Sequence, residues 1–328
     1  LIQLETFKVF KLTKIFVAGA TGYIGTSVVK SALEKNFDVV AAKREESSDF
    51  GLKHQKLTVI KISENDNSWV DKLKDIDVFI SCLASRSGEP KDAHCVDFKL
   101  NNLLLEKAKA IECAQFILLS AICVQKPKLA FQFEKLAFEE RLRNSGLNFS
   151  IIRPTAYFKS LSGQIENIKK GKPYVYFGDG QITQCNPISE KDLSLYILSC
   201  IKDKNKWRKI LPIGGPKQSI TPKDIGKILF EIFEVSPKYK SFPTKILDAI
   251  RLLLLIISPF SNWAKNKSEL IKIAKYYATE SMLIWDEKKE CYDANMTPST
   301  GKDTLRDYFY SIKNLDLQLE IDRDSKLY

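Results

Sequence analysis

The sequence predicts an α/β protein built on a doubly wound, mostly parallel sheet, followed by a smaller, helix-rich C-terminal part. Three observations carry this reading. Short apolar runs alternate with amphipathic stretches up to residue 153. A glycine-punctuated turn joins the first run to the first helical stretch. After Pro154 the alternation gives way to glycine and proline punctuation, then to helical, aromatic-rich sequence. At 328 residues the chain holds one large domain or two closely joined ones, and buries its core without a disulfide or metal staple. With 44% hydrophobic and 28% charged residues, it is neither disordered nor of low complexity.

Lys14–Ala18 is the first strand. Gly19-Ala-Thr-Gly22-Tyr-Ile-Gly25 follows directly, then a helix over Thr26–Lys35 with Val28, Val29 and Leu33 on one face. Phe37–Ala42, Leu57–Ile62 and Asp77–Cys82 are the next three strands, the last running into the small and polar residues 84–88. Asp97–Ile111 is a helix, Gln115–Ser120 the fifth strand, Phe131–Asn144 a helix and Phe149–Arg153 the sixth strand. Beyond Pro154, Ser189–Ile201 is a helix opened by the capping box Ser189-Glu-Lys-Asp192. Ile210–Gly215 is a strand and turn, and Thr221–Phe233 a helix capped by Thr221 with Pro222 in first position. These elements predict an N-terminal extension over 1–13 and a nucleotide-binding domain over 14–160. Residues 161–328 form a cap over the carboxyl edge of the sheet, interleaved with the sheet's end.

The glycine spacing has a chemical meaning. Gly19 permits a tight turn, Gly22 lets backbone approach a pyrophosphate, and Gly25 lets the helix pack close to the strand. With Thr21, Tyr23 and Ile24 they form a loop whose helix N-terminus offers free N–H groups to phosphates. Strand, glycine turn, helix and second strand in this order read as the opening of a Rossmann sheet. NAD binders place Asp or Glu at the end of the second strand. Here Lys43 and Arg44 stand there, a cationic pair suited to a 2′-phosphate, so NADPH is the expected cofactor.

Short-chain reductases of this shape use a Ser and a Tyr-x-x-x-Lys pair. Ser120 ends the fifth strand and Lys135 follows on a helix, but the position four before Lys135 is Phe131, which donates no proton. Lys135 is the candidate for holding the nicotinamide ribose and for raising the positive potential at the site. Pro154, in Arg153-Pro154-Thr155 at the end of the sixth strand, is the candidate border of the nicotinamide. Tyr157 is the candidate proton donor, with Lys159 an ammonium nearby.

The formal net charge is +11, but only 9 of the 51 basic residues are arginine, the side chain preferred for nucleic-acid contacts. A nucleic-acid partner is therefore not expected. Seven scattered cysteines without a CxxC, and two histidines, His54 and His94, argue against zinc or an iron–sulfur cluster and for free thiols in a reducing compartment. The apolar stretch 246–260 is interrupted by Asp248 and Arg251 and is shorter than the ~20 residues of a membrane span. With Lys265, Lys267, Lys272 and Lys275 behind it, it reads either as a helix for an anionic membrane surface or as a packed helix with a solvated basic face.

At this point the motifs point to a family. The chain resembles the NADPH-dependent 8-vinyl reductases of divinyl chlorophyllide, atypical short-chain reductases related to isoflavone-reductase-like proteins. The resemblance runs through Gly19–Gly25 with Arg44, residues 80–86 (ISCLASR), 118–127 (LLSAICVQKP), 153–160 (RPTAYFKS), 170–174 (KGKPY) and 177–180 (FGDG). It continues in 187–193 (PISEKDL), 211–216 (LPIGGP), 276–282 (YYATESM) and 297–305 (TPSTGKDTL), which are narrower than the glycine loop. The Phe131-x-x-x-Lys135 departure is similar to what that family shows.

The resemblance implies reduction of a C8 vinyl group to ethyl on a magnesium tetrapyrrole, divinyl chlorophyllide or protochlorophyllide. Hydride adds to the terminal vinyl carbon, the charge spreads into the macrocycle, and Tyr157 or water supplies the proton. No tyrosine-activated carbonyl is needed, which accounts for Phe131. A flat, apolar substrate calls for aromatic contacts, for which Phe158, Tyr276 and Tyr277 are candidates. The implied location is the chloroplast, with a transit peptide absent from this chain, or a cyanobacterial or bacterial cytoplasm, with contact to a photosynthetic membrane. The rival readings are a reductase of another conjugated small molecule and a non-catalytic NADPH-sensing or assembly protein.

Overall fold

The computed structural model describes residues 13–44, 51–62, 68–87, 89–216 and 219–315. Residues 1–12 of the expected extension lie outside them.

Seven strands form one sheet: β1 (Lys14–Ala18), β2 (Asp38–Arg44), β3 (Leu57–Ile62), β4 (Val78–Ser81), β5 (Gln115–Leu119), β6 (Phe149–Pro154) and, after the short β7 (Tyr174–Phe177), β8 (Lys209–Ile213). Their order is β3-β2-β1-β4-β5-β6-β8, with every neighbouring pair parallel. The strands are apolar in nearly every position because both faces are covered. Alternation sends Ile15 and Val17 toward α1 (Tyr23–Glu34), and Phe16 and Ala18 toward the opposite layer.

That opposite layer holds α2 (Pro90–Ala93), a π-helical turn over His94–Leu100, α3 (Asn101–Ala110) and α4 (Ala130–Arg143). Helical backbone thus begins before the expected Asp97, and Asp97 itself sits in the π turn. After α5 (Ile165–Lys169), α6 (Glu190–Lys202) packs beside α1. The strand order turns back between β1 and β4, so the crevice outside their carboxyl ends is where such a sheet binds ligands.

The C-terminal part has its own core. Phe158, Ile165, Tyr174, Leu229, Phe230 and Phe309 join α7 (Pro222–Phe233) to α10 (Leu305–Leu315). Two small sheets occur here that the sequence pattern does not predict. One pairs β7 with β9 (Tyr239–Phe242), the other β10 (Ile284–Asp286) with β11 (Cys291–Asp293). Between them run α8 (Lys245–Ile257) and α9 (Asn262–Thr279). The end of α9 reaches the carboxyl edge of the main sheet, where the Tyr276 hydroxyl donates to the carbonyls of Cys123 (2.8 Å) and Lys126 (3.1 Å). Among the described residues, no helix is long and apolar enough to cross a membrane, and no cluster of His, Cys, Asp or Glu could hold a metal ion.

Candidate active site

The glycine loop is built as its spacing requires. Gly19 has φ +69°, and a Cβ there would lie 2.6 Å from the Cys82 carbonyl oxygen at the end of β4. A Cβ on Gly25 would lie 2.1 Å from the Gly19 carbonyl oxygen. Gly22 meets no such wall; its amide donates to Gly19 (3.0 Å), and it caps α1 with extended backbone. Helix α1 therefore starts at Tyr23, inside the expected turn. It has no side-chain cap and no acidic residue in its first turn, so its N–H groups and partial positive charge are left for an anion. Ile24 is buried below the loop, and the Thr26 hydroxyl donates to the Ala20 carbonyl (2.9 Å), stiffening the turn that begins with Thr21. The bare, close-packed loop fits the pyrophosphate of a dinucleotide.

Lys43 and Arg44 are the last two residues of β2, in register with Lys61 and Ile62 of β3. Lys43 is buried and Arg44 half-buried.

The Lys135 ammonium, on α4, lies 2.8 Å from Asp97 Oδ1 in a buried ion pair and donates to the Leu83 carbonyl just beyond β4 (3.4 Å). The other Asp97 oxygen accepts from the Ser85 hydroxyl (2.6 Å). Lys135 is thus held at the carboxyl edge of β4, next to the glycine loop. Asp97 escaped the sequence reading, which gave it no role beyond opening a helix.

Ser120 is placed differently from expectation. Its hydroxyl donates to Glu139 Oε1 (2.5 Å), and Glu139 also receives two hydrogen bonds from the Arg153 guanidinium. The hydroxyl proton is therefore engaged by a buried carboxylate. Glu139 was also missed, although it lies one turn beyond Lys135 on the same helix face. Pro154 is buried at the end of β6, in register with Ile213.

Tyr157 follows β6, is partly buried against the α1 layer, and lies near Tyr23, ring centroids 6.3 Å apart. Burial, then the nearby Cys82 and Cys123 thiols, hold its hydroxyl well above the usual phenol range, so it keeps its proton. Burial likewise pushes the Cys82 thiol up to about 12 although Lys135 pulls it back, so this sulfur is no thiolate nucleophile. The Tyr23 hydroxyl donates to Glu190 at the start of α6, leaving its backbone to the phosphate loop.

Of the aromatic candidates, Phe158 lies deepest. It is 1% exposed, packed on Tyr308 in the C-terminal core, and presents no face to a ligand. Tyr276 is also buried and spends its hydroxyl on the chain beyond β5. Tyr277 stays half-buried, edge-on to Tyr276, with its side chain on the Cys123 thiol. Phe131, Ala121 and Ala156 share this apolar cluster at the carboxyl edge.

Around this edge the C-terminal segment is clasped to α6. Asp192 accepts the backbone N–H groups of Lys302 (2.9 Å) and Asp303 (2.8 Å), and Ser189 donates to the Asp303 carboxylate (2.8 Å). Gly301, φ +84°, is required there, since a Cβ would fall 2.1 Å from the Asp192 carboxyl carbon.

A family model described as NAD(P)H-binding matches residues 19–204. The fold is that of UDP-glucuronic acid 4-epimerase from Bacillus cereus, with a TM-score of 0.67 at 18% identity, covering 92% of this chain and all of that one. Photosystem II assembly factor Ycf39 of Cyanophora paradoxa is 25% identical, with 90% of each chain covered. Divinyl chlorophyllide a 8-vinyl-reductase of Arabidopsis thaliana is 42% identical and that of Cucumis sativus 43%, each match covering 91% of this chain and 76% of the relative. With that identity over that length, and with a nicotinamide-dinucleotide loop at its head, the chain belongs to the divinyl chlorophyllide a 8-vinyl-reductase family.

Proposed function

We propose that this chain reduces the C8 vinyl group of divinyl chlorophyllide a, or of its protochlorophyllide counterpart, to ethyl, with NADPH as the donor. The observation that carries the reading is the 42–43% identity to reductases of that name over 91% of the chain. The chemistry of the site agrees with it. The product gains one hydride and one proton across a carbon–carbon double bond, so no carbonyl oxygen needs a proton during transfer, and Phe131 is tolerated where carbonyl reductases need a phenol.

NADPH, when bound, supplies the hydride. Gly19, Thr21, Gly22, Tyr23, Ile24 and Gly25 would hold its pyrophosphate with backbone N–H groups. Lys43 and Arg44 would hold the 2′-phosphate, the contact that favours NADPH over NADH. Lys135, braced by Asp97, would bind the nicotinamide ribose and lend positive potential to the carboxyl edge of β4. Chain beyond Pro154 would border the nicotinamide. Tyr157 is the candidate donor to the inner vinyl carbon, with water the alternative. Phe131 and Tyr277 form the apolar wall against which a flat macrocycle would rest. The two reductases named are chloroplast proteins, which supports a plastid location.

The test is an assay in dim light with purified protein, NADPH and divinyl chlorophyllide a, with pigments separated by chromatography. Conversion to the monovinyl pigment, much weaker with NADH, is expected. Tight NADPH binding without conversion would overturn the reading and favour a non-catalytic NADPH-sensing or assembly role.

A further inference from the structure

Among the described residues, the α8–α9 hairpin carries the densest group of exposed large apolar side chains. On α8, Leu247 is buried and Arg251 and Leu254 are half-covered, as is Ser258 just beyond its end, and this spacing marks the face turned to α9. The opposite face of a water-exposed helix is ordinarily polar. Here it carries Ile246, Ile250, Leu253 and Ile257 in one row and Leu252 and Ile256 beside it. Leu252, Leu253 and Ile256 are 62–64% exposed, and at the turn between the helices Trp263 is 65% and Phe260 90% exposed. A contiguous apolar face of this kind marks an interaction surface.

Charge identifies the occupant. From Lys245 to Lys267 the exposed cations are Lys245, Lys265 and Lys267, Arg251 lies on the face turned to α9, and the one anion, Asp248, is paired with Lys275. A second copy of this face would bring like charges together. A lipid surface with anionic head groups meets both properties, the aliphatic face entering the acyl boundary and the flanking lysines meeting the head groups. An aromatic pair at the turn suits the interface region of a bilayer. At 13 residues α8 is about 20 Å long, too short to span but suited to lying in the surface plane.

We infer that the α8–α9 hairpin is a docking tip that lays this protein on an anionic lipid surface, with Leu252, Leu253, Ile256, Phe260 and Trp263 buried among the lipids. Helix α9 runs from Trp263 at the tip to Tyr277 at the candidate active site, about 20 Å along one rigid element. Docking therefore holds the site near lipid, where an amphiphilic pigment partitions; this last step alone rests on the proposed function.

The test uses the full chain and vesicles, without substrate or turnover, so its result is separate from that of the reductase assay. Sedimentation with phosphatidylcholine vesicles containing phosphatidylglycerol is expected to exceed that with phosphatidylcholine alone at least tenfold and to fall at high salt. Two variants should lose at least tenfold in binding while keeping the wild-type melting temperature: Phe260→Ser with Trp263→Gln, and Lys265→Glu with Lys267→Glu. Absence of binding to the anionic vesicles, or either variant binding as wild type does, would overturn the proposal. So would a stable dimer in solution that Phe260→Ser dissociates, since it would assign the face to a second copy.

Discussion

Replacing Asp97 by Asn tests the arrangement of the site most directly. The change keeps the shape of the side chain and removes its charge, leaving the Lys135 ammonium enclosed, with the Leu83 carbonyl as its remaining hydrogen-bond partner at 3.4 Å. The two side chains are 8% and 0% exposed, so solvent screens little of the interaction. Asp97 Oδ1 faces the ammonium at 2.8 Å but off the hydrogen-bonding direction, so charge rather than hydrogen bonding is what is lost there. Breaking such a pair by removing one partner costs about 3–5 kcal/mol. That corresponds to a fall in melting temperature on the order of 10 °C for a chain of this size. The assay is urea unfolding of the wild type, Asp97→Asn, Lys135→Met and the double variant. Lys135→Met should cost less in the Asp97→Asn background than alone, because the orphaned charge leaves with it. The KM for NADPH should rise in Asp97→Asn as Lys135 loses its brace. A single variant within about 1 kcal/mol of wild type, with additive effects in the cycle, would refute the pair as the element that positions Lys135.

Other perturbations follow from the same geometry. Gly25→Ala drives a methyl to 2.1 Å from the Gly19 carbonyl and should abolish NADPH binding in a fluorescence titration; retained affinity would show that the loop yields. Arg44→Ala should raise the KM for NADPH about tenfold and leave that for NADH nearly unchanged, on the scale of one charge-assisted contact; equal effects on both cofactors would remove Arg44 from 2′-phosphate recognition. Phe158→Ala should cost about 3–5 kcal/mol in unfolding with little change in substrate KM, whereas a KM effect without a stability loss would return Phe158 to the substrate. Burial pushes Cys82 and Cys185 up to about 12 and Cys113 and Cys200 up to about 11, from 9.0. The native state then holds these protons more tightly than the unfolded chain, so their contribution is complete below pH 9 and is lost as pH rises toward 11–12. A urea midpoint falling between pH 9 and 10.5 is expected, and a flat one would contradict it.

The sheet was legible because its signals are local. Val39 and Val40 face opposite helix layers and are both buried, so β2 reads as a continuous apolar run, and the glycine turn marks where β1 hands over to α1. Lys135 was legible by its place on the helix after β5, but its partner was not. Asp97 lies 38 residues earlier in a π-helical turn, and nothing in the sequence announces that turn. Ser120 read as a cofactor-binding hydroxyl because the strand ends there, whereas its engagement by Glu139 and Arg153 depends on side chains converging from α4 and β6. Phe158 could not be told from a ligand contact, since an aromatic residue after a strand serves either end. The pairing of β7 with β9 escaped because Tyr239–Phe242 is four residues long and mostly exposed, with no apolar alternation to reveal it.

The first turn of α6 is gripped from two directions. From the phosphate-loop helix come the Tyr23 hydroxyl on Glu190 and the Ser27 hydroxyl on the Glu190 carbonyl; from the far end of the chain come the Lys302 and Asp303 amides on Asp192. Two segments nearly 280 residues apart are thereby wired in series through one helical turn. Ordering either segment stiffens the turn on which the other leans, so part of the conformational entropy of the second binding event is already lost at the first. The signature is reciprocal coupling without a change of fold, with amide exchange at Lys302 and Asp303 slowing when the dinucleotide is present.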